Sequence, residues 1–567
     1  MRLRVLLALA AGGLAAAFSL PRILPLATID VSGYDPADAC IFMWNFWWTR
    51  RALASAHGLY WTDLLGYPHG TSLALHSYPL PYCLLSLPVQ WLVPGLPGLI
   101  LAFNLAVLLS FFFTAAAASV LAARVCRSCA GGLVAGVMVA LAPFRSLNVA
   151  RLHLMATEFP AIYVLCWVAF VERPSRPRAI ALGASLALCV YSSPEYAIAA
   201  AVFSAVWLMY EWRSWHTPTV LGLRTGLAVA CISCAIVVSP LLLAQASAIV
   251  RHEIRPVRSL DEVIMWSPAL ASFFVPSRMH PVYGSLLSAA GEYRSPGVYG
   301  MRSETTIPLT AWVLVLVALT RVKRDRSIFW VIAGAVFLVL TLGPFLRLTG
   351  SWTTRVPLPY AALYAVLPLV RASRDPTRML PMATLMLAVV AAFGVRACIA
   401  RIRSRSAAAI VTALFVATVA FESLTPSTIH ATAGQMVPTI YQRIADTSGE
   451  FAVLDLREEP LPLLAQTVHG KPITSGSISV RRAAAWGAPG AERDLRDPRN
   501  FTSLSREARA ARLTEDRDEL IRLNFRFVVL PESTSDQWSL AQELSLRPVA
   551  GGVDSSLWEV PSEDSSR

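Results

Sequence analysis

Long apolar runs recur along most of this chain, near residues 3 to 22, 98 to 123, 129 to 145, 153 to 172, 178 to 192, 196 to 212, 224 to 249, 306 to 320, 328 to 346, 377 to 395 and 407 to 425. About twenty consecutive apolar residues cross a bilayer as a helix, so the pattern predicts about eleven membrane-spanning helices. Leu80 to Val93 is apolar as well, but prolines at 79, 81, 88, 94 and 97 interrupt it. Counting it as a crossing would invert every later loop, so it reads as a surface or re-entrant helix. After Pro426 the apolar character falls, and short runs such as Phe451 to Leu456 and Phe525 to Leu530 have strand character. Ser505 to Asn524 between them has the charge pattern of an amphipathic helix. The expected architecture is an α-helical polytopic membrane domain over 1–425, with long loops at 23–97 and 250–305, followed by a small α/β domain over 426–567.

Composition agrees with the pattern: 55% of the 567 residues are hydrophobic, 15% are charged and the mean hydropathy is +0.53. A formal net charge of +13 would suggest nucleic acid in a soluble chain. Here the basic residues gather in short loops: Arg2/Arg4, Arg124/Arg127, Arg173/Arg176/Arg178, Arg213/Arg224, Arg321/Lys323/Arg324/Arg326 and Arg396/Arg401/Arg403/Arg405. With the helices as counted, all of these fall on one face, which the positive-inside rule makes the cytoplasm. The charge is topology, and no nucleic-acid partner is expected. The N-terminus is then cytoplasmic, and the long loops and the C-terminal domain lie on the exterior face. The segment after Arg2 and Arg4 ends in Arg22 and prolines without a clear small-x-small cleavage site, so it reads as a retained helix. Most of the nine cysteines sit in apolar runs, and Cys126 and Cys129 lack the second pair or histidines of a zinc site.

Chemistry concentrates on the exterior face. Asp35 and Asp38 follow the first apolar segment and precede Trp44, Trp47 and Trp48, indoles suited to the membrane boundary. One carboxylate could deprotonate an acceptor hydroxyl, and the other could orient it or bind a divalent ion such as Mg2+ or Mn2+. The same two acids could instead cap the following helix. His76 lies in the turn-rich end of that loop. His153 and Glu158 flank the next exterior turn beside Arg145 and Arg151, and Glu195 marks the one after it. These acids are candidates for direct roles or for pairing with the arginines. For phosphate, Arg278 and His280 in Phe274 to Pro281, and Arg374 and Arg378 flanking Pro376, are the candidates, since guanidinium grips phosphate oxygens in pairs. No Walker or GxGxxG sequence is present. An enzyme acting on the exterior face without nucleotide would draw on a lipid-linked donor.

The order Asp35-Pro36, Trp44 to Trp48, Tyr67-Pro68-His69-Gly70 with His76, Phe274 to Pro281, Leu342-Gly343-Pro344, Pro357 to Tyr360 and Arg374-Asp375-Pro376-Thr377-Arg378 resembles the large bacterial polytopic family related to GT-C glycosyltransferases. The resemblance extends to Gln466 to Pro472 in the C-terminal domain. It implies a transferase of the bacterial inner membrane that uses a polyprenyl-phosphate sugar, with an acid soon after the first transmembrane helix as base, here Asp35. The spacing Asp35-x-x-Asp38 departs from a tight DxD or ExD. Asp38 and Glu158 are then expected to orient the base or hold metal. A transporter or flippase of envelope lipid or glycan would show polar residues deep in several helices or an internal repeat, and the mid-span residues here are nearly all Ala, Leu and Val. A non-catalytic assembly protein would tolerate loss of Asp35 but not loss of 426–567.

Overall fold

The computed structural model describes residues 2–30, 38–55, 58–211, 219–250, 258–289, 302–322, 324–349, 352–425, 430–474, 489–501, 504–531, 535–551 and 555–561. Helix α1 (Arg2–Ile23) leads into strand β1 (Thr28–Asp30), helix α2 (Asp38–Ala54) and the hairpin of β2 (Trp61–Thr62) and β3 (Thr71–Ser72). Next come α3 (Leu80–Leu92), α4 (Gly95–Cys126), α5 (Cys129–Ala140), the short α6 (Pro143–Leu147) and α7 (Leu152–Met155), then α8 (Glu158–Glu172), α9 (Arg176–Ser192), α10 (Pro194–Tyr210) and α11 (Thr219–Val250). The second half holds α12 (Leu260–Trp266), α13 (Tyr283–Ala289), α14 (Leu309–Arg321), α15 (Arg324–Thr341), the hairpin of β4 (Phe345–Thr349) and β5 (Trp352–Pro357), α16 (Pro359–Val366), α17 (Pro368–Ala372), α18 (Leu380–Ile399) and α19 (Arg405–Glu422).

Each of the eleven apolar segments read from the sequence falls mainly on helix; the end of 328–346 leaves α15 after Thr341 and enters β4 at Phe345. Among the described residues, eight helical stretches are long and apolar enough to cross a membrane: Leu3–Ile23, Gly95–Cys126, Cys129–Leu147, Leu152–Glu172, Gly222–Val250, Ser303–Arg321, Pro376–Ile399 and Arg405–Glu422. The other three coincide with α9, α10 and α15, of which α9 and α10 have 17 residues each. The chain is a multi-pass membrane protein. Helix α3 has 13 residues, a rise of about 20 Å that falls short of the roughly 30 Å hydrocarbon core.

Helix α18 is the axis of the bundle and packs against α5, α14 and α15. Two glycines set how close these helices come. A methyl group at Gly131 would lie 2.6 Å from the carbonyl oxygen of Ala392, and one at Gly394 would lie 2.1 Å from that of Leu314. Small residues therefore let the α18 backbone touch its neighbours, the usual source of helix association where burial in lipid gives no hydrophobic gain. Helix α19 is peripheral, with Ile410 and Leu414 about 60% exposed (61% and 59%) where lipid would cover them.

The C-terminal part is built on β6 (His430–Thr432), α20 (Ala433–Met436), α21 (Ile440–Asp446), β7 (Ala452–Asp455), α22 (Leu461–His469), α23 (Gly490–Arg496), α24 (Arg506–Arg522), β8 (Phe525–Pro531), α25 (Ser535–Glu543), β9 (Arg547–Gly551) and β10 (Ser555–Glu559). The strand and helix signals read from the sequence fall on β7, β8 and α24, the last capped by the Ser505 hydroxyl. One sheet runs β7-β8-β10-β9, parallel between β7 and β8 and antiparallel elsewhere. Strand β6 pairs with β1, and Ile473 forms bridges to both Val453 and Leu65. The segment between α1 and α4 is thereby joined to the C-terminal sheet.

Candidate functional site

Six separate turns converge on one cluster of charge. Asp38 stands at the first residue of α2, Arg151 and His153 at the α6–α7 corner, Glu195 in the first turn of α10, Trp266 at the end of α12, Arg302 just before α14, and Arg374, Asp375 and Arg378 just before α18. Proline-started helices and short 3-10 turns at these corners turn the chain sharply and present the polar residues together. Asp38 Oδ2 accepts from Arg151 Nε at 2.5 Å. Arg378 is paired with Glu195, whose second oxygen takes the Ser193 hydroxyl at 2.5 Å. Arg302 grips Asp375 with two parallel bonds of 3.0 Å and also pairs with Glu304.

Arg374 is different. Its guanidinium lies 4.7 Å from the centre of the Trp266 ring, which Arg302 also approaches, at 5.1 Å. Among the described residues Arg374 forms no ion pair. Partial burial and the neighbouring cations Arg378, Arg258 and Arg151 hold its pKa below the ordinary arginine value. The Asp375 pKa is also lowered, which for an acid favours the charged form: burial opposes its charge, but Arg302, Arg378 and the Thr377 hydroxyl at 2.6 Å overcome it and keep the carboxyl below its usual range. The four guanidiniums of the cluster, Arg151, Arg302, Arg374 and Arg378, are balanced by Asp38, Glu195, Glu304 and Asp375, but Arg302 takes two of these acids, so Arg374 stands beside the indole face with none among the described residues, placed to meet an anion.

Unpartnered atoms gather here too. Among the described residues His153 Nδ1, His76 Nδ1 and Arg378 Nε are buried without a hydrogen-bond partner, and His153 lies within electrostatic reach of Arg378, Glu195, Arg151 and His76. The tautomer of His76 follows from its neighbour. Asn45 Nδ2 donates to the Ser77 carbonyl at 2.9 Å, so Asn45 Oδ1 is left to accept from His76 Nε2 at 3.0 Å. His76 Nδ1 then carries a lone pair, and burial pushes the ring pKa down to about 4, so it stays neutral. Buried polar atoms rarely go unpaired, and a ligand with hydroxyl groups would satisfy these.

Asp38, His76, His153, Glu195, Arg374 and Arg378 are therefore neighbours, linked by these pairs and charges, although they come from distant parts of the sequence. Asp35 lies outside the described residues. Three other candidates have their contacts elsewhere. Glu158 is 3% exposed and accepts from the hydroxyls of Tyr82, Ser110 and Thr114, in a network that includes the buried Arg145. His280 Nε2 donates to the Phe421 carbonyl at 2.7 Å, its Nδ1 accepts from Val282 and Tyr283, and Arg278 is exposed beside it. Reading the sequence missed Trp266, Arg302 and Asn45. Arg302 gave no local signal, because its partner Asp375 is 73 positions away. For a cation, Asp38 already meets Arg151, and among the described residues no three His, Cys, Asp or Glu side chains gather.

No family model matches the chain, and no curated protein matches its sequence. Solved structures do match in fold. Over 98% of its length the chain aligns with 74% of the oligosaccharyltransferase of Archaeoglobus fulgidus tethered to an acceptor peptide, at 9% identity and a TM-score of 0.51. It aligns over 98% of its length with 99% of ArnT from Cupriavidus metallidurans in the apo state, at 14% identity and a TM-score of 0.50. Both are glycosyltransferases of the GT-C type. This chain has the GT-C fold, with a small C-terminal sheet region.

Proposed function

We propose that this chain is an integral membrane glycosyltransferase that moves a sugar from a polyprenyl-phosphate donor to an extracytoplasmic glycan, lipid or protein acceptor. The observation that carries this reading is the guanidinium of Arg374 against Trp266, without an ion pair among the described residues, within a fold shared with GT-C transferases. In this reading Arg374 takes the donor phosphate, and Arg378, held by Glu195, borders it. Polar atoms of His76 and His153 meet the sugar hydroxyls. Asp35 removes the proton of the acceptor hydroxyl as that oxygen bonds to the anomeric carbon. The bond from that carbon to the phosphate oxygen breaks, and the electron pair leaves with polyprenyl phosphate, whose charge the arginines stabilise. One base and no internal nucleophile make this a single, inverting displacement. Asp38, paired with Arg151, orients the start of α2. Glu158 serves the same site indirectly by fixing α3 against α4 and α8. The N-terminus is cytoplasmic and the C-terminal domain extracytoplasmic in this arrangement.

The test is transfer of radiolabelled sugar from a panel of polyprenyl-phosphate donors by purified protein and its Asp35→Asn variant, each with Mg2+, Mn2+ or a chelator. Transfer by the parent and loss of at least about a hundredfold in the variant are expected, in line with removal of a general base. Transfer abolished by the chelator would assign Asp35 and Asp38 to a cation. No donor binding by the parent would overturn the reading in favour of a transporter or assembly protein.

A further inference from the structure

We infer that the C-terminal domain sets the position of Asp38, and that Gln466 is the positioning residue through which it does so; this rests on the transferase reading above. Gln466 is 0% exposed and sits on α22, which packs along α2. Its amide is fully used across three segments. Oε1 accepts from Trp44 Nε1 at 2.7 Å, and Nε2 donates to the carbonyls of Leu64 at 2.7 Å and Lys471 at 2.9 Å. A primary amide has two hydrogens to give on nitrogen, and both are taken, so its orientation is fixed by its surroundings.

Trp44 lies on α2 six residues after Asp38, 1% exposed and stacked on Trp48 with ring centres 5.9 Å apart. Leu64 belongs to the other side of the same exterior loop. There the backbone continues the bond set: Ile473 N donates to Leu64 O at 2.9 Å and Tyr67 N to Ile473 O at 3.1 Å, while Val453 N donates to Pro472 O at 2.9 Å. The loop thus adds to the edge of the C-terminal sheet through Ile473. Tyr67 packs edge-on against Phe525 of β8, with ring centres 5.6 Å apart. Upstream of α2, β1 is paired with β6 from Thr28↔Thr432 to Asp30↔His430. The C-terminal chain therefore holds the first exterior loop before α2, along α2 and after it. Asp38 at the head of α2 reaches Arg151 from this support.

A helix fixed along its length by buried, fully satisfied bonds presents its first residue at one place, and small displacements of reacting groups are costly in rate. Gln466→Met keeps the volume and removes all three side-chain bonds. Trp44→Phe removes one and is the milder change. Two readouts on the full chain in detergent separate the claims. The first is hydrogen–deuterium exchange of the peptide over 38–54, which needs no activity. Both variants are expected to exchange at least about threefold faster there, with the peptide over 176–192 unchanged. The second is transfer, in which kcat is expected to fall roughly 10- to 100-fold with the donor KM within about twofold. Parent-like exchange over 38–54 in both variants would overturn the inference, and so would faster exchange with an unaltered kcat. If the parent transfers no sugar from any donor, the transferase reading fails, while exchange still decides whether Gln466 fixes α2.

Discussion

A guanidinium without a carboxylate of its own is expensive to keep among other cations, and Arg374, which has none among the described residues, is kept there over the face of Trp266. Arg378 and Arg302, close by, are each matched by an acid. Of Arg302, Arg374 and Arg378, Arg374 is therefore the one that meets no carboxylate among the described residues and is open to an anionic ligand. Replacing it with Ala is expected to raise the donor KM about 10- to 100-fold, the equivalent of one or two charge-assisted hydrogen bonds. Lys in its place should recover only part of this, because an ammonium group neither chelates two phosphate oxygens nor stacks flat on the indole. The measurement is initial transfer rate against donor concentration, and equal KM values for parent, Arg374→Ala and Arg374→Lys would remove the residue from the phosphate site. The sequence showed Arg374 and Arg378 as a pair worth examining. It could not say which was neutralised, because Glu195 is 183 positions from Arg378 and only the fold brings them together.

Helix α22 ends in His469, at the terminus where the helix dipole favours a cation. The environment forbids one. The ring is 6% exposed, stacks on Tyr441 with centres 5.9 Å apart and accepts the Lys471 N–H on Nδ1 at 3.1 Å. Burial first, then Arg457 and Lys471, push its pKa down to about 3. The unfolded ring titrates near 6.5, so below that pH the unfolded chain binds a proton that the folded chain refuses. This contribution to stability is whole above about pH 6.5 and is lost as the pH falls toward 3, by about 1.4 kcal/mol for each unit in that window. His469→Asn keeps an acceptor near the Nδ1 position and does not titrate. Thermal unfolding followed by tryptophan fluorescence should show the parent losing stability between pH 7 and pH 5 more steeply than the variant. Parallel slopes would mean that His469 is protonated in the folded chain. At this scale much was legible in advance: β7, β8 and α24 follow from local pattern, and Leu80 to Val93 was read as a helix too broken to span. The pairing of α22 with α2 was not, because the bond from Trp44 to Gln466 closes a separation of 422 residues.

At the scale of the molecule, the hydrophobic pattern told the membrane helices from the rest, because lipid requires long apolar stretches that nothing else in the chain imitates. It drew the boundary at 426 as a change of solvent. The packing crosses that boundary: buried Met436, Tyr441, Ile444 and Leu463 belong to the same hydrophobic cluster as Phe42, Trp44 and Phe46 of α2. Cys40, on α2 and 2% exposed, lies within electrostatic reach of Arg457 from the C-terminal chain. Cutting the chain after Thr425 should therefore uncover α2 while leaving the α5, α14 and α18 contacts in place. Cys40 is expected to react with a maleimide at least about tenfold faster in the shortened protein than in the full chain, as protection reports local opening. Cys189 on α9, 0% exposed, should remain protected in both. A Cys40 that stays protected without residues 426–567 would mean that the membrane helices alone hold α2. Labelling of both thiols would mean that the bundle itself depends on the C-terminal domain. Exposure of Cys40 alone would place the membrane boundary and the folding boundary at different points in the chain, with α2 folding as part of the C-terminal unit.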